Sequence, residues 1–193
     1  MMAKWCPAFT TLLDVGCGEG SFVRFLESRH GLELHGTDLS AISTELAARA
    51  SPGALFVVAN ADRFLPYADQ SFEVVTSINA RVHPSEFERI ITKTGIVLVA
   101  VPGPDDLIEL RERIQGGRVE KNRAARILDS LADPFVLKET RAVREKRDLH
   151  VAELKDLLVA TYRGLRRSEH EAVTALTGLN VTMSHEIFAF ARG

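Results

Sequence analysis

The sequence predicts an α/β fold built on a doubly wound, mostly parallel sheet. Three observations lead there. Short apolar runs alternate with stretches of helical spacing up to residue 104. The first of these runs ends in a turn with three glycines, "LLDVGCGEGSF", residues 12–22. Residues 95–101, "GIVLVAV", are apolar almost throughout, as in a strand covered on both faces.

The elements follow in order. Residues 11–15 are a short apolar run stopped by glycine, hence a buried strand. Residues 21–29 have helical spacing, with Phe22, Val23, Phe25 and Leu26 on a broad apolar face. A second strand covers 32–37. Ser40 caps a helix over 41–50, where "AISTELAARA" is rich in good helix formers, and Ser51-Pro52-Gly53 stops it. Strands are expected over 54–59 and 72–78, a short helix over 84–92, and the apolar strand over 95–101, which Pro102-Gly103-Pro104 breaks. The rhythm then changes. Helices are expected over 105–115 and 119–131 with a Gly116-Gly117 hinge between them, a strand over 135–147, helices over 151–161 and 168–176, and a final strand over 181–191.

Composition narrows the functional classes. A chain of 193 residues, 46% hydrophobic and 26% charged, suits one globular domain over 1–193 with a sizeable core. No apolar run approaches the ~18 residues of a membrane span, and "MMAKWCPAF" lacks the apolar segment of a secretory signal. Cys6 and Cys17 are too few for a disulfide framework or a Cys-rich zinc module, which predicts a cytoplasmic protein. His150, His170 and His185 show no metal spacing with carboxylates, so no metal is expected. Charge is uneven. Residues 1–110 hold 8 Lys and Arg against 14 Asp and Glu, whereas residues 111–167 hold 15 against 9. A basic face for phosphates is one reading. The interleaved acids of "RERIQGGRVEKNRAAR" favour paired charge on a helix surface.

The glycines carry the chemistry. After a strand, the first turn of the next helix exposes N–H groups that a ligand can use, provided no Cβ obstructs its approach. Gly16, Gly18 and Gly20 remove that obstruction, and Asp14 can fix the loop or reach a ligand amine. A tight, ligand-free turn would use the same glycines. Asp38, in "LHGTDLS", follows Gly20 by 18 residues and favours a ligand. An acid at that point of a doubly wound sheet accepts hydrogen bonds from ribose hydroxyls. Asp38 can equally serve the start of the next helix. The spacing is not that of a dinucleotide binder, because Ser21 stands where Gly-x-Gly-x-x-Gly needs its last glycine.

The form Asp-x-Gly-x-Gly-x-Gly resembles motif I of the class I S-adenosylmethionine-dependent methyltransferases. "TDLS" resembles their ribose-binding segment with Asp38 and Leu39, and "NADRFLPYADQSFEVV" their third and fourth motifs, which places Asn60, Ala61 and Asp62 at the adenine. "VAVPGPDDLIELRERIQG" is similar to a Pro-Gly-Pro strand end and covering helix in the 23S ribosomal RNA guanine-N1 methyltransferases. "DLLVATYRGLRR" resembles a later stretch of that family, through Asp156, Leu157, Leu158, Thr161 and Arg166. The resemblance implies a Rossmann-like, seven-stranded sheet with an antiparallel last strand and a helical insertion after the fifth strand. It also implies S-adenosyl-L-methionine as cofactor. Two departures matter. This chain starts almost at the first strand and has no counterpart of that family's N-terminal zinc module. Arg81-Val82 stands where the family tends to have Pro-Cys.

The resemblance implies methyl transfer to RNA, of the guanine-N1 type found in ribosomal RNA. A small-molecule acceptor and a non-catalytic cofactor-binding scaffold are the alternatives. The acceptor side falls at the end of the fourth strand, on Asn79, Arg81 and His83, the candidate catalytic residues. Asn79, also a candidate cofactor contact, would bond a base edge or the acceptor or cap the strand, Arg81 would meet a phosphate or carboxylate, and His83 would take a proton or stand solvated. Residues 105–131 are read as a lid or a plain helical insertion, with Gly103 and the Gly116-Gly117 pair as hinges. Cys17 is read as a packing residue, and Trp5 and Phe9 as core rather than a flap. A homodimer or a separate RNA-binding subunit are the expected partners.

Overall fold

A computed structural model describes residues 2–29, 31–115, 123–160 and 177–193. Seven strands form one sheet in the order β3-β2-β1-β4-β5-β7-β6, with β7 antiparallel. They are β1 (Thr11–Val15), β2 (Glu33–Asp38), β3 (Leu55–Val58), β4 (Phe72–Ile78), β5 (Ile91–Pro102), β6 (Phe135–Leu149) and β7 (Leu179–Arg192). The helices are α1 (Met2–Trp5), α2 (Ser21–Glu27), α3 (Ala41–Ala50), α4 (Pro84–Ile90), α5 (Ile108–Gln115), α6 (Ala124–Leu131) and α7 (Val151–Ala160). β1 pairs in parallel with β2 and β4, β2 with β3, and β4 with β5. The expected Rossmann-like order is therefore present, with the reversal of strand order between β1 and β4. The Gly116-Gly117 hinge, Thr161, Arg166 and the helix expected over 168–176 lie outside the described residues. No described helix is long and apolar enough to cross a membrane.

The chain divides into two compact units. The first comprises Met1–Val101, Ala124–Arg141 and Ile187–Gly193. Its strands alternate side chains between two cores, as the period of two requires. Leu13, Val15, Val75, Val97 and Val99 face one side, where Phe87 and Ile90 of α4 and Ile127 and Leu131 of α6 cover them. Leu12, Val74, Ile96 and Leu98 face the other, covered by Val23 and Leu26 of α2. Full burial of each such side chain is worth about 1.5–3 kcal/mol. Trp5 and Phe9 pack into this second core, and the indole N–H of Trp5 donates to Glu139 Oε2 at 2.8 Å. The helix expected over 84–92 ends at Ile90, because Ile91 already pairs with Phe72. An irregularity in register then lies between Phe72 and Val74. Gly95 permits it: a Cβ there would stand 2.6 Å from Ile91 Cγ1 and 2.8 Å from the Glu73 carbonyl oxygen.

The second unit comprises Pro102–Arg123 and Ala142–Glu186. Its small core holds Leu110, Leu154 and Val181. Carboxylates after the Pro-Gly-Pro fasten to the start of β7. Glu109 accepts from the Thr182 amide at 2.8 Å and its hydroxyl at 2.7 Å, and Asp106 accepts from the Ser184 amide at 2.9 Å. Asp105 accepts from the Ser184 hydroxyl at 2.6 Å. Gly103 donates to the Ser184 carbonyl at 2.9 Å, and a Cβ on it would fall 2.4 Å from Ser184 Oγ. Of the stretch read as a lid, α5 belongs to this unit and α6 to the first.

Candidate cofactor and acceptor site

β1 delivers the glycine loop to the carboxyl end of the sheet's strands, at the strand reversal. Gly16, Gly18 and Gly20 all have positive φ, at 78°, 53° and 74°, which an L side chain adopts at a cost. They meet different surroundings. A Cβ on Gly16 would stand 2.3 Å from the Ala80 Cβ, and one on Gly20 would stand 2.9 Å from the Ala47 Cβ. A Cβ on Gly18 would have nothing within 4 Å. Gly16 and Gly20 are therefore required by the protein's own packing, whereas Gly18 faces open space.

The loop's amides are largely engaged within the fold. The Gly16 and Cys17 amides donate to the Thr37 carbonyl at 2.8 and 3.0 Å, and that of Gly20 to the Cys17 carbonyl at 2.9 Å. The Gly18 amide donates to Asp38 Oδ2 at 2.9 Å, while Asp38 Oδ1 accepts from the Ser40 amide at 2.9 Å. Asp38 thus clamps the loop to the end of β2. The cap of α3 is Ser40, whose hydroxyl accepts from the Ser43 amide at 3.2 Å. Each Asp38 oxygen keeps a lone pair for a further donor. Leu39, next in the chain, is exposed.

Asp14 is buried at 3% exposure on the same face of the sheet as Leu12. Its Oδ1 accepts from the Thr76 hydroxyl at 2.6 Å across the β1–β4 pair. Burial pushes its carboxyl up to about 6, the Thr76 bond opposes that shift, and the nearby Asp38 charge adds to it. The Cys17 thiol is pushed up to about 12, first by burial and then by Asp14 and Asp38, so the thiolate needed for nucleophilic attack is suppressed.

Three predicted residues come together at the end of β4. Asp62 places Oδ2 3.1 Å from an Arg81 guanidinium nitrogen and Oδ1 3.4 Å from His83 Nδ1. His83 precedes α4, its ring edge-on to Phe87. Burial draws its pKa below the usual histidine value, with Arg81 acting in the same sense and Asp62 and Glu86 against it. Asn79 is exposed, with a φ of 57°, a conformation that asparagine tolerates better than most residues. Its amide donates to the Ala100 carbonyl at 2.8 Å, which ends the β4–β5 ladder. Asn60 folds its loop, its Oδ1 accepting from the Asp62 amide at 3.0 Å, and Ala61 packs against the core. The contact of Gly16 with Ala80 sets the glycine loop beside the Asn79–Arg81 turn.

Sequence reasoning missed several supports. Thr76 holds Asp14, and no local pattern announces a partner on another strand. Glu86 and Arg89 fasten the loop through Leu65: Glu86 Oε2 accepts from the Leu65 amide at 2.7 Å, and Arg89 donates to the Leu65 and Tyr67 carbonyls at 2.8 and 2.7 Å. Their three-residue spacing in "PSEFER" was the available signal. Among the described residues, no group of three or more His, Cys, Asp and Glu side chains could hold a metal ion.

Comparison with known proteins agrees with this geometry. The family described as "Methyltransferase domain" matches residues 12–99, which run from β1 into β5. The chain is 32% identical over 125 residues to the 23S rRNA (guanine(748)-N(1))-methyltransferase of Streptomyces fradiae, covering 64% of this chain and 45% of that protein. It is 34% identical over 114 residues to the 2-methyl-6-phytyl-1,4-hydroquinone methyltransferase of Synechocystis, covering 51% and 36%. The chain spans less than half the length of the curated relatives it matches. The fold is shared with the crystal structure of a TehB-like SAM-dependent methyltransferase from Corynebacterium glutamicum, with a TM-score of 0.58 at 15% identity, covering 100% of this chain and 85% of that one. The glycine loop, its clamping acid and the strands β2, β3 and β4 thus lie within residues 12–99, the part of the chain that matches a methyltransferase domain.

Proposed function

We propose that the protein transfers a methyl group from S-adenosyl-L-methionine to a small-molecule acceptor. The observation that carries the donor half is the open space at Gly18, beside a carboxylate already oriented by two amides. The residues fit the group. Asp38 accepts from the ribose hydroxyls with its remaining lone pairs, exposed Leu39 offers an apolar surface, and Asn60 and Ala61 border the adenine. Bound there, the cofactor supplies an electrophilic methyl group. The chain's task is to orient the acceptor, worth about 7–11 kcal/mol of barrier in well-aligned cases, and to receive a proton.

For the second task we assign His83. Its lowered pKa keeps it neutral near pH 7. Asp62, with its oxygens toward Arg81 and His83, orients the ring through Nδ1 and leaves Nε2 for the acceptor's proton. Asp62 is thereby a positioning residue rather than an adenine contact. Asn79 orients the acceptor.

The charge pattern favours a small molecule. Arg141, Arg144 and Arg147 of the basic segment pair with Glu139, Asp105 and Glu145 at 3.1, 2.7 and 2.6 Å. Such pairing on the long, exposed β6 at the sheet edge suits a strand protected against further pairing. It leaves less positive charge for a nucleic acid backbone. A second reading, methylation of guanine N1 in RNA, is supported by the similarity to the ribosomal RNA methyltransferase of Streptomyces fradiae. Incubation with cofactor labelled in its methyl group, against total RNA and against a small-molecule extract, tests both. Label in the small-molecule fraction alone is expected. Label in RNA alone overturns the acceptor reading, and label in neither overturns the enzyme reading.

A further inference from the structure

Within the first unit, on the α2 side of the sheet, the ends of β4 and β5 leave a space unfilled. Phe22, Thr76, Ile78, Leu98, Ala100 and Ile187 line a half-open cavity of about 200 Å³. Its origin is local. Ile78 pairs with Ala100 and Thr76 with Leu98, so the small Ala100 side chain stands where a larger one would close the gap. Among the lining side chains only Thr76 is polar, and its hydroxyl proton is committed to Asp14 at 2.6 Å.

That lining selects its occupant. A buried water needs about 2–4 polar partners, and an apolar cavity of roughly 150 Å³ stays dry and takes benzene. A nucleobase edge placed here would strand its donors and acceptors without partners. Thr76 also links the cavity to the strand that carries the glycine loop, through Asp14. We propose that this cavity binds the apolar ring of the methyl acceptor, a small molecule with a single aromatic ring. The proposal rests on the small-molecule reading above and adds the chemistry of that molecule.

Toluene, guanosine and S-adenosylhomocysteine are the probes, each titrated into the full chain while isoleucine methyl resonances are recorded. Toluene is expected to shift Ile78 and Ile187 saturably. The shifts should weaken at least tenfold in Ala100→Leu, and likewise in Ile187→Phe, which serves if the first variant does not fold. Both variants should still bind S-adenosylhomocysteine. No saturable toluene shift in the wild type, an undiminished shift in a folded variant, or tighter binding of guanosine at the same methyl groups each overturns the proposal. Failure of S-adenosylhomocysteine to bind the wild type overturns the cofactor reading separately, since the toluene measurement needs no cofactor.

Discussion

Asp38→Ala is expected to weaken S-adenosylhomocysteine binding by roughly 100-fold or more, equivalent to about 2.7 kcal/mol. The carboxylate holds the Gly18 and Ser40 amides, both at 2.9 Å, so its loss releases the loop from β2. Hydrogen bonds to a charged group are worth about 1.5–3 kcal/mol each. In the proposed complex the same oxygens also receive the ribose hydroxyls, so loop and ligand lose their anchor together. Calorimetric titration of wild type and variant measures this. Thermal denaturation of both shows whether the variant remains folded. Unchanged affinity in the folded variant would remove Asp38 from the site.

The second large effect separates two glycines that look equivalent in the sequence. Gly16→Ala combines a φ of 78° with a Cβ 2.3 Å from that of Ala80. The left-handed conformation costs about 1–2 kcal/mol and overpacking about 1–3 kcal/mol, so several kcal/mol of stability should be lost. In a chain of this size each kcal/mol lowers Tm by about 2–4 °C. Gly18→Ala carries a φ of 53° but meets open space. Only the conformational cost applies, so its Tm should fall by a few degrees, about 2–8 °C. Its new methyl group, however, stands where the ligand must approach. Thermal melts should therefore rank Gly16→Ala as the more damaged fold. Calorimetry should show Gly18→Ala to be stable yet poor at binding S-adenosylhomocysteine. Equal destabilisation by the two, or full binding by Gly18→Ala, would contradict the assignment.

The first half of the fold was legible because short apolar runs alternate there with stretches of helical spacing that carry cap and stop residues. Thr11–Val15, Phe72–Ile78 and Ala41–Ala50 begin and end where those signals place them. The start of β5 was not legible. Ile91 and Thr92 continue the helical pattern of "PSEFERI", and only the pairing of Ile91 with Phe72 makes them strand. α1 has four residues, too few to show a period.

The candidate site was legible as residue types but not as a network. The motif pointed to Asp38. That it clamps Gly18 depends on how β2 approaches the loop, which no spacing along the chain encodes. Asp62 was placed with the adenine contacts and His83 with the acceptor, 21 residues apart in the sequence, yet the fold brings them within 3.4 Å. The amides of the glycine loop were expected to await a ligand. Those of Gly16, Cys17, Gly18 and Gly20 find acceptors inside the protein, so the glycines serve close approach more than donation. The apolar cavity had no sequence signal, because a missing volume depends on the neighbours of Ala100 on other strands and helices.

Titration of S-adenosylhomocysteine into nitrogen-15-labelled protein, followed by backbone amide spectra, tests the donor site most directly. The largest shifts should fall on the amides of residues 16–20 and 38–40, with smaller ones over 60–62 and 79–81. Saturating shifts confined to other parts of the chain, or none at all, would contradict binding of the adenosyl group at the turn after the first strand.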